Sequence, residues 1–131
     1  MKKSGILHAE LAGHLARLGH TDQFLVVDSG FPVPPGVPVV DLRVVYGLPA
    51  FAPVLTAIAD EVVVEHALVA AELADANPAA HEVIAGRFGE LATVDHSELK
   101  RRAVSARFAV RTAEDTPYAN VLLTAGVGFP V

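Results

Sequence analysis

Residues 19–30 read Gly19-His20-Thr21-Asp22-Gln23-Phe24-Leu25-Val26-Val27-Asp28-Ser29-Gly30. Phe24 to Val27 is a continuous apolar run stopped by turn formers, which predicts a short buried strand. His20 lies ahead of that strand and Asp28 directly behind it, and packing requires neither. Imidazole is the one side chain whose ordinary pKa lies near neutrality, so a histidine on a helix-to-strand loop is a candidate proton carrier. Each residue also has a plainer reading. His20 can satisfy the last carbonyls of a preceding helix, and Asp28 before Ser29-Gly30 can be a turn residue.

Working outward, Leu7, Leu11, Leu15 and Leu18 are spaced four, four and three apart, the stripe of an amphipathic helix over Ile6 to Leu18 with Gly19 as its C-cap. On the other side, Pro32-Val33-Pro34-Pro35-Gly36 is a loop that cannot pair in a sheet. Val37 to Leu42 predicts a second strand and Pro49 to about Glu61 a helix. Val62 to Ala70 mixes β-branched residues with helix formers and fits either state. Asn77-Pro78 sets a capping residue before proline at the first helical position, predicting a helix over Ala79 to Phe88 that ends at Gly89. Leu91 to Val94 is a short strand leading to His96. Ser97 to Ala103 is a helix with Lys100, Arg101 and Arg102 in its later turns, where cations complement the dipole. Phe108 to Val110 and Val121 to Thr124 are the last strands, separated by the polar loop from Arg111 to Asn120. Helices alternating with apolar strands predict a single-domain layered α/β fold over residues 1–131, with a largely parallel sheet and an antiparallel C-terminal strand pair.

Composition narrows the function. A chain of 131 residues with 52% apolar and 19% charged residues has a well-filled interior, enough for one core and for burial against copies of itself. There is no cysteine, which removes disulfides, thiolate nucleophiles and thiolate metal sites. A net charge of −5 disfavours nucleic acid and anionic membranes, whose phosphates demand a basic patch. No apolar run reaches membrane-spanning length, and Lys2-Lys3 is not followed by the uninterrupted apolar segment of a secretion signal. The expectation is a soluble cytoplasmic protein acting on a neutral small molecule. Walker and GxGxxG loops, a GxSxG elbow and paired helical histidines are all missing, so no metal or cofactor is called for.

In open α/β sheets, ligands bind outside the carboxyl ends of the strands. Asp28 follows the first strand, His96 the strand over Leu91 to Val94, and the loop holding Tyr118 and Asn120 follows Phe108 to Val110, so all converge on one edge. Read singly, His96 can be a helix cap, and Tyr118 and Asn120 turn residues entering a strand. His20 belongs to the other end, because at ~3.3 Å per residue the positions from Phe24 to Asp28 span ~13 Å. His20 and Asp28 are therefore expected not to touch within one subunit, and His20 to complete a neighbour's site. His8, His14, His66 and His81 are expected to be surface or packing residues.

Three segments then carry a resemblance: Leu18-Gly19-His20-Thr21-Asp22; Asp28-Ser29-Gly30-Phe31-Pro32 with Pro34-Pro35-Gly36-Val37; and Thr116-Pro117-Tyr118-Ala119-Asn120. With the opening Met1 to Leu7, they make the chain resemble the D-ribose pyranase family, related to L-fucose mutarotases, over nearly its whole length. The Pro-Pro-Gly-Val loop and the Tyr-Ala-Asn triplet are similar to the ribose branch. One departure is Ala113, where pyranases usually carry Gly before the glutamate matching Glu114. The resemblance implies interconversion of β-D-ribopyranose and β-D-ribofuranose, with His20 as proton donor and Asp28, His96, Tyr118, Ala119 and Asn120 at the sugar. It also implies a cytoplasmic homo-oligomer, commonly a decamer. The competing expectations are a mutarotase for fucose or another aldose, and a sugar-binding module without turnover.

Overall fold

The computed structural model describes all 131 residues. Its helices are α1 (Ala9–Ala16), α2 (Phe51–Ala59), α3 (Leu73–Ala76), α4 (Pro78–Phe88) and α5 (His96–Arg102). Its strands are β1 (Gln23–Val27), β2 (Val39–Asp41), β3 (Val64–Ala70), β4 (Ala92–Val94), β5 (Ala109–Arg111) and β6 (Val121–Ala125). One six-stranded sheet runs β2-β5-β1-β6-β3-β4. The pairs β1–β5, β2–β5 and β3–β4 are parallel, and β6 alone is reversed, antiparallel to both β1 and β3. The expected antiparallel strand is thus present, but its partners are β1 and β3, and β1 separates it from β5.

Strand alternation divides the interior into two layers. Phe24 and Val26 of β1, Ala67 and Val69 of β3, and Val121 and Leu123 of β6 join α1, α2 and α4 in the larger core. Leu25, Val27, Leu68, Ala70 and Leu122 face the other way, onto Phe31, the α5 residue Leu99 and Ala103 just beyond that helix. Phe24 to Val27 are each wholly buried. A fully buried side chain of this size contributes about 1.5–3 kcal/mol, which holds β1 at the centre of the sheet.

Several boundaries differ from expectation for local reasons. Helix α1 starts only at Ala9, because the His8 side chain caps it by accepting from the Leu11 N–H at 3.1 Å. Leu7 therefore lies outside the helix, 72% exposed, and Ile6 is buried instead. Gly19 is not the C-cap: the helix ends at Arg17, whose N–H donates to the carbonyls of Gly13 and His14. The ambiguous segment after Val62 is strand β3, and α3 is a short helix with no clear local signal. Helix α4 follows its caps, with Asn77 accepting from the Ala80 N–H and Gly89 at φ 75°. Asp95, not His96, caps α5 by accepting from the Glu98 N–H at 2.7 Å. No helix is long and apolar enough to cross a membrane.

Candidate active site

Since β1, β4 and β5 run the same way, their carboxyl ends share one edge, where β6 begins. Asp28, the first residue beyond β1, is clasped there by Asn120. The Asp28 N–H donates to Asn120 Oδ1 at 2.8 Å, and Asn120 Nδ2 donates to Asp28 Oδ2 at 3.2 Å. Oδ1 of Asp28 accepts from the Gly30 N–H at 3.0 Å. Burial pushes the Asp28 carboxyl above its ordinary pKa, against the opposing pull of the Gly30 N–H, the Asn120 amide, the Phe31 N–H and the field of His96. The carboxylate is thus partly desolvated yet held in one orientation.

His96 opens α5, its backbone N–H donating to both carboxylate oxygens of Glu72 at 3.2 and 3.1 Å. Its ring stands edge-on to Tyr118, with centroids 5.1 Å apart, and to Phe31 at 6.1 Å. Nδ1 of His96 is buried without a hydrogen-bonding partner, so no protein group pins its tautomer. Tyr118 sits at φ 59°, the left-handed region that few non-glycine residues adopt and that is found preferentially at functional sites. Buried Asn77 holds this loop by donating to Thr116 Oγ1 and the Pro117 carbonyl, both at 2.8 Å. Ala119 is wholly buried, its methyl in the larger core, so any polar contact it makes comes from its backbone.

Asp28, Phe31, His96, Lys100, Tyr118 and Asn120 line a cavity of about 210 Å³. A groove of about 580 Å³ continues from Asp28 and Gly30 over Tyr46, Glu114 and Thr116. Lys100 and Phe31 were not anticipated at the site. The signal for Lys100 is its spacing: four residues after His96 on α5, it projects from the same helix face. Ala113 is also explained, for its N–H donates to the Pro49 carbonyl, its carbonyl accepts from the Gly47 N–H, and its φ is not positive. A methyl fits there without backbone strain.

His20 is elsewhere. It lies in the turn before β1, at the opposite sheet edge, with its side chain 53% exposed and Nε2 3.0 Å from Glu65 Oε2. The structure brings Asp28, His96, Tyr118 and Asn120 together and leaves His20 apart within the chain.

A carboxylate, an imidazole, a phenol and a carboxamide around so small a volume can exchange hydrogen bonds and protons with a hydroxyl-rich molecule. Fold and site together define a small α/β protein with a polar pocket at the carboxyl edge of its sheet. The chain belongs to the RbsD / FucU transport protein family, whose model matches residues 1–128. It is similar to D-ribose pyranase 1 of Rubrobacter xylanophilus, with 54% identity over 129 residues, covering 98% of this chain and 100% of the relative. D-ribose pyranase 2 of Streptomyces griseus is also 54% identical, over the same length and with the same coverage. The structure of Bacillus subtilis RbsD complexed with D-ribose matches with a TM-score of 0.94 at 43% identity, covering 98% of this chain and 100% of that one. The fucose mutarotase of Streptococcus pneumoniae in complex with L-fucose shares the fold, with a TM-score of 0.77 at 17% identity and coverage of 94% and 95%.

Proposed function

We propose that this chain is a D-ribose pyranase, an isomerase that interconverts β-D-ribopyranose and β-D-ribofuranose, and that residues 1–131 form one catalytic domain. The observation that carries the reading is the interlocked Asp28–Asn120 pair beside His96 and Tyr118. Full-length identities of 54% to the pyranases above and 43% to the ribose-bound relative support it.

The chemistry is the opening and reclosure of a hemiacetal. A base takes the proton of the anomeric hydroxyl, the bond from the anomeric carbon to the ring oxygen breaks, and an acid protonates that oxygen as it leaves. The resulting aldehyde is attacked by a different hydroxyl, which loses its proton as the carbonyl oxygen gains one. No electrons or groups are transferred, so side-chain acids and bases suffice and the reading requires no metal or cofactor. Positioned acids and bases each contribute ~10²- to 10⁴-fold, about 3 to 5 kcal/mol of barrier, ample for a reaction that proceeds unaided in water.

His20 is assigned the acid role. Asp28 orients the sugar or polarises an imidazole, His96, Tyr118 and Asn120 hold hydroxyls, and Ala119 contributes through its backbone. Because Phe24 to Asp28 alone span ~13 Å and His20 lies before that stretch, His20 serves the pocket of an adjacent subunit, and the working form is a cytoplasmic homo-oligomer, a decamer in this reading. Saturation-transfer NMR on a panel of aldoses tests it: the protein accelerates pyranose-to-furanose exchange of ribose above that of fucose. Ribose spectra unchanged by added protein would defeat the enzymatic reading in favour of a binding module.

A further inference from the structure

The hydrogen-bonding partner of the His20 side chain belongs to a strand 45 residues away. Nε2 of His20 is 3.0 Å from Glu65 Oε2. Glu65 sits where the β3–β6 ladder breaks step: Val64 lies opposite Ala125 and His66 opposite Thr124, leaving Glu65 as an extra residue. Bulges of this kind re-aim a side chain out of the strand's alternation and recur beside active sites. A neighbouring glycine provides the room. A Cβ on Gly126 would come within 3.0 Å of Val63 Cγ1 and 3.4 Å of Glu65 Cβ, and the Gly126 N–H donates to the Val63 carbonyl at 2.8 Å.

The same end of β6 anchors the His20 turn. The Thr21 N–H donates to the Ala125 carbonyl and the Ala125 N–H to the Asp22 carbonyl, both at 2.9 Å. Within the turn, the Gly19 N–H donates to Asp22 Oδ2 at 2.8 Å, and Thr21 takes φ 71°, a conformation costly for a β-branched residue and characteristic of functional sites. Ala125 and Gly126 therefore register the imidazole and the carboxylate against each other. An exposed ion pair adds almost nothing to stability, so a bulge, a strained threonine and a glycine converging on one are better explained by orientation.

We propose that Glu65 is a positioning residue for His20: it accepts the Nε2 proton and fixes the ring so that Nδ1 carries the proton delivered to the sugar ring oxygen. On delivery the proton leaves Nδ1, the neutral imidazole keeps Nε2–H on Glu65, and the hydroxyl that attacks the aldehyde gives up its proton to Nδ1. The proposal rests on the reading of His20 as the acid.

The test uses the intact assembled protein with Glu65→Ala, Glu65→Gln and His20→Ala, measuring exchange kinetics, melting temperature and the ring ¹⁵N shifts of His20. Glu65→Ala lowers kcat by about 10- to 100-fold, a share of what a positioned acid supplies, with KM and melting temperature little changed. In the wild type the neutral His20 ring carries its proton on Nε2, and Glu65→Ala gives mixed tautomers. Glu65→Gln, whose carbonyl oxygen still accepts from Nε2–H, keeps that tautomer and restores most of the rate. A kcat for Glu65→Ala within about twofold of wild type, or a wild-type ring protonated on Nδ1, overturns the proposal while an inactive His20→Ala leaves the parent reading standing. A fully active His20→Ala overturns both.

Discussion

At the carboxyl end of β1, Asp28 is partly desolvated, clasped by Asn120 through two hydrogen bonds and walled by the rings of His96 and Phe31. At the amino end, His20 is half exposed, its side chain held only by an equally accessible glutamate, although its backbone turn is tied firmly to β6. One end is a pocket that partly shields its carboxylate from water; the other is a presented group on a rigid mount. The contrast teaches that, in the proposed function, the strand separates a ligand-receiving half from a half presented outward to a neighbour.

Breaking the outward half has the largest expected effect. His20→Ala lowers catalysed ribose exchange by ~10²- to 10⁴-fold with little change in melting temperature, because the ring is half exposed and hydrogen-bonds an exposed glutamate; retained activity in the NMR assay would remove His20 from the mechanism. Mixing inactive His20→Ala and Asp28→Ala proteins sharpens the comparison directly. Subunit exchange should restore about a quarter of the sites if each draws on two chains, whereas no recovery means the halves are not shared. In the inward half, Asn120→Ala strands the buried Asp28 N–H and strips a donor from its carboxylate, costing about 1–3 kcal/mol in chemical denaturation together with most activity. A variant as stable as wild type would show that the clasp is not structural.

The smallest effect is one of pH. Burial raises the Asp28 pKa above its ordinary 3.8, so the folded chain binds this proton more tightly than the unfolded chain. The stabilising contribution is complete below the unfolded value and is lost as pH rises through the raised folded value. Asp28→Asn cannot ionise, so the stability of wild type relative to this variant should fall as pH rises from 4 toward neutrality. A difference that stays flat across that range would mean the carboxylate is not desolvated.

Much of this was legible because its causes are local. The apolar run Phe24 to Val27 between turn formers, the Asn77-Pro78 start and Gly89 stop of α4, and the alternation that sends Asp28, His96 and Asn120 to one edge all follow from neighbours in sequence. The position of β6 between β1 and β3 was not legible, because strand order depends on partners about a hundred residues apart. The α1 boundary was misplaced because a histidine can cap a helix with Nδ1, as His8 does, outside the usual capping set. His14, expected to be a surface or packing residue, stacks on Phe108 with centroids 4.8 Å apart. Glu65 left no trace at all, since a bulge is a property of two paired strands and of the glycine that makes room for it.

Strand β6 starts at Asn120's pocket and finishes against the turn that bears His20, five residues later. It therefore works as a ruler, setting how far apart successive reaction centres stand around the proposed assembly. Inserting one residue into it would reverse which layer the side chains beyond the insertion face and change the distance between its two ends, so neither centre could be retuned through this strand without disturbing the next.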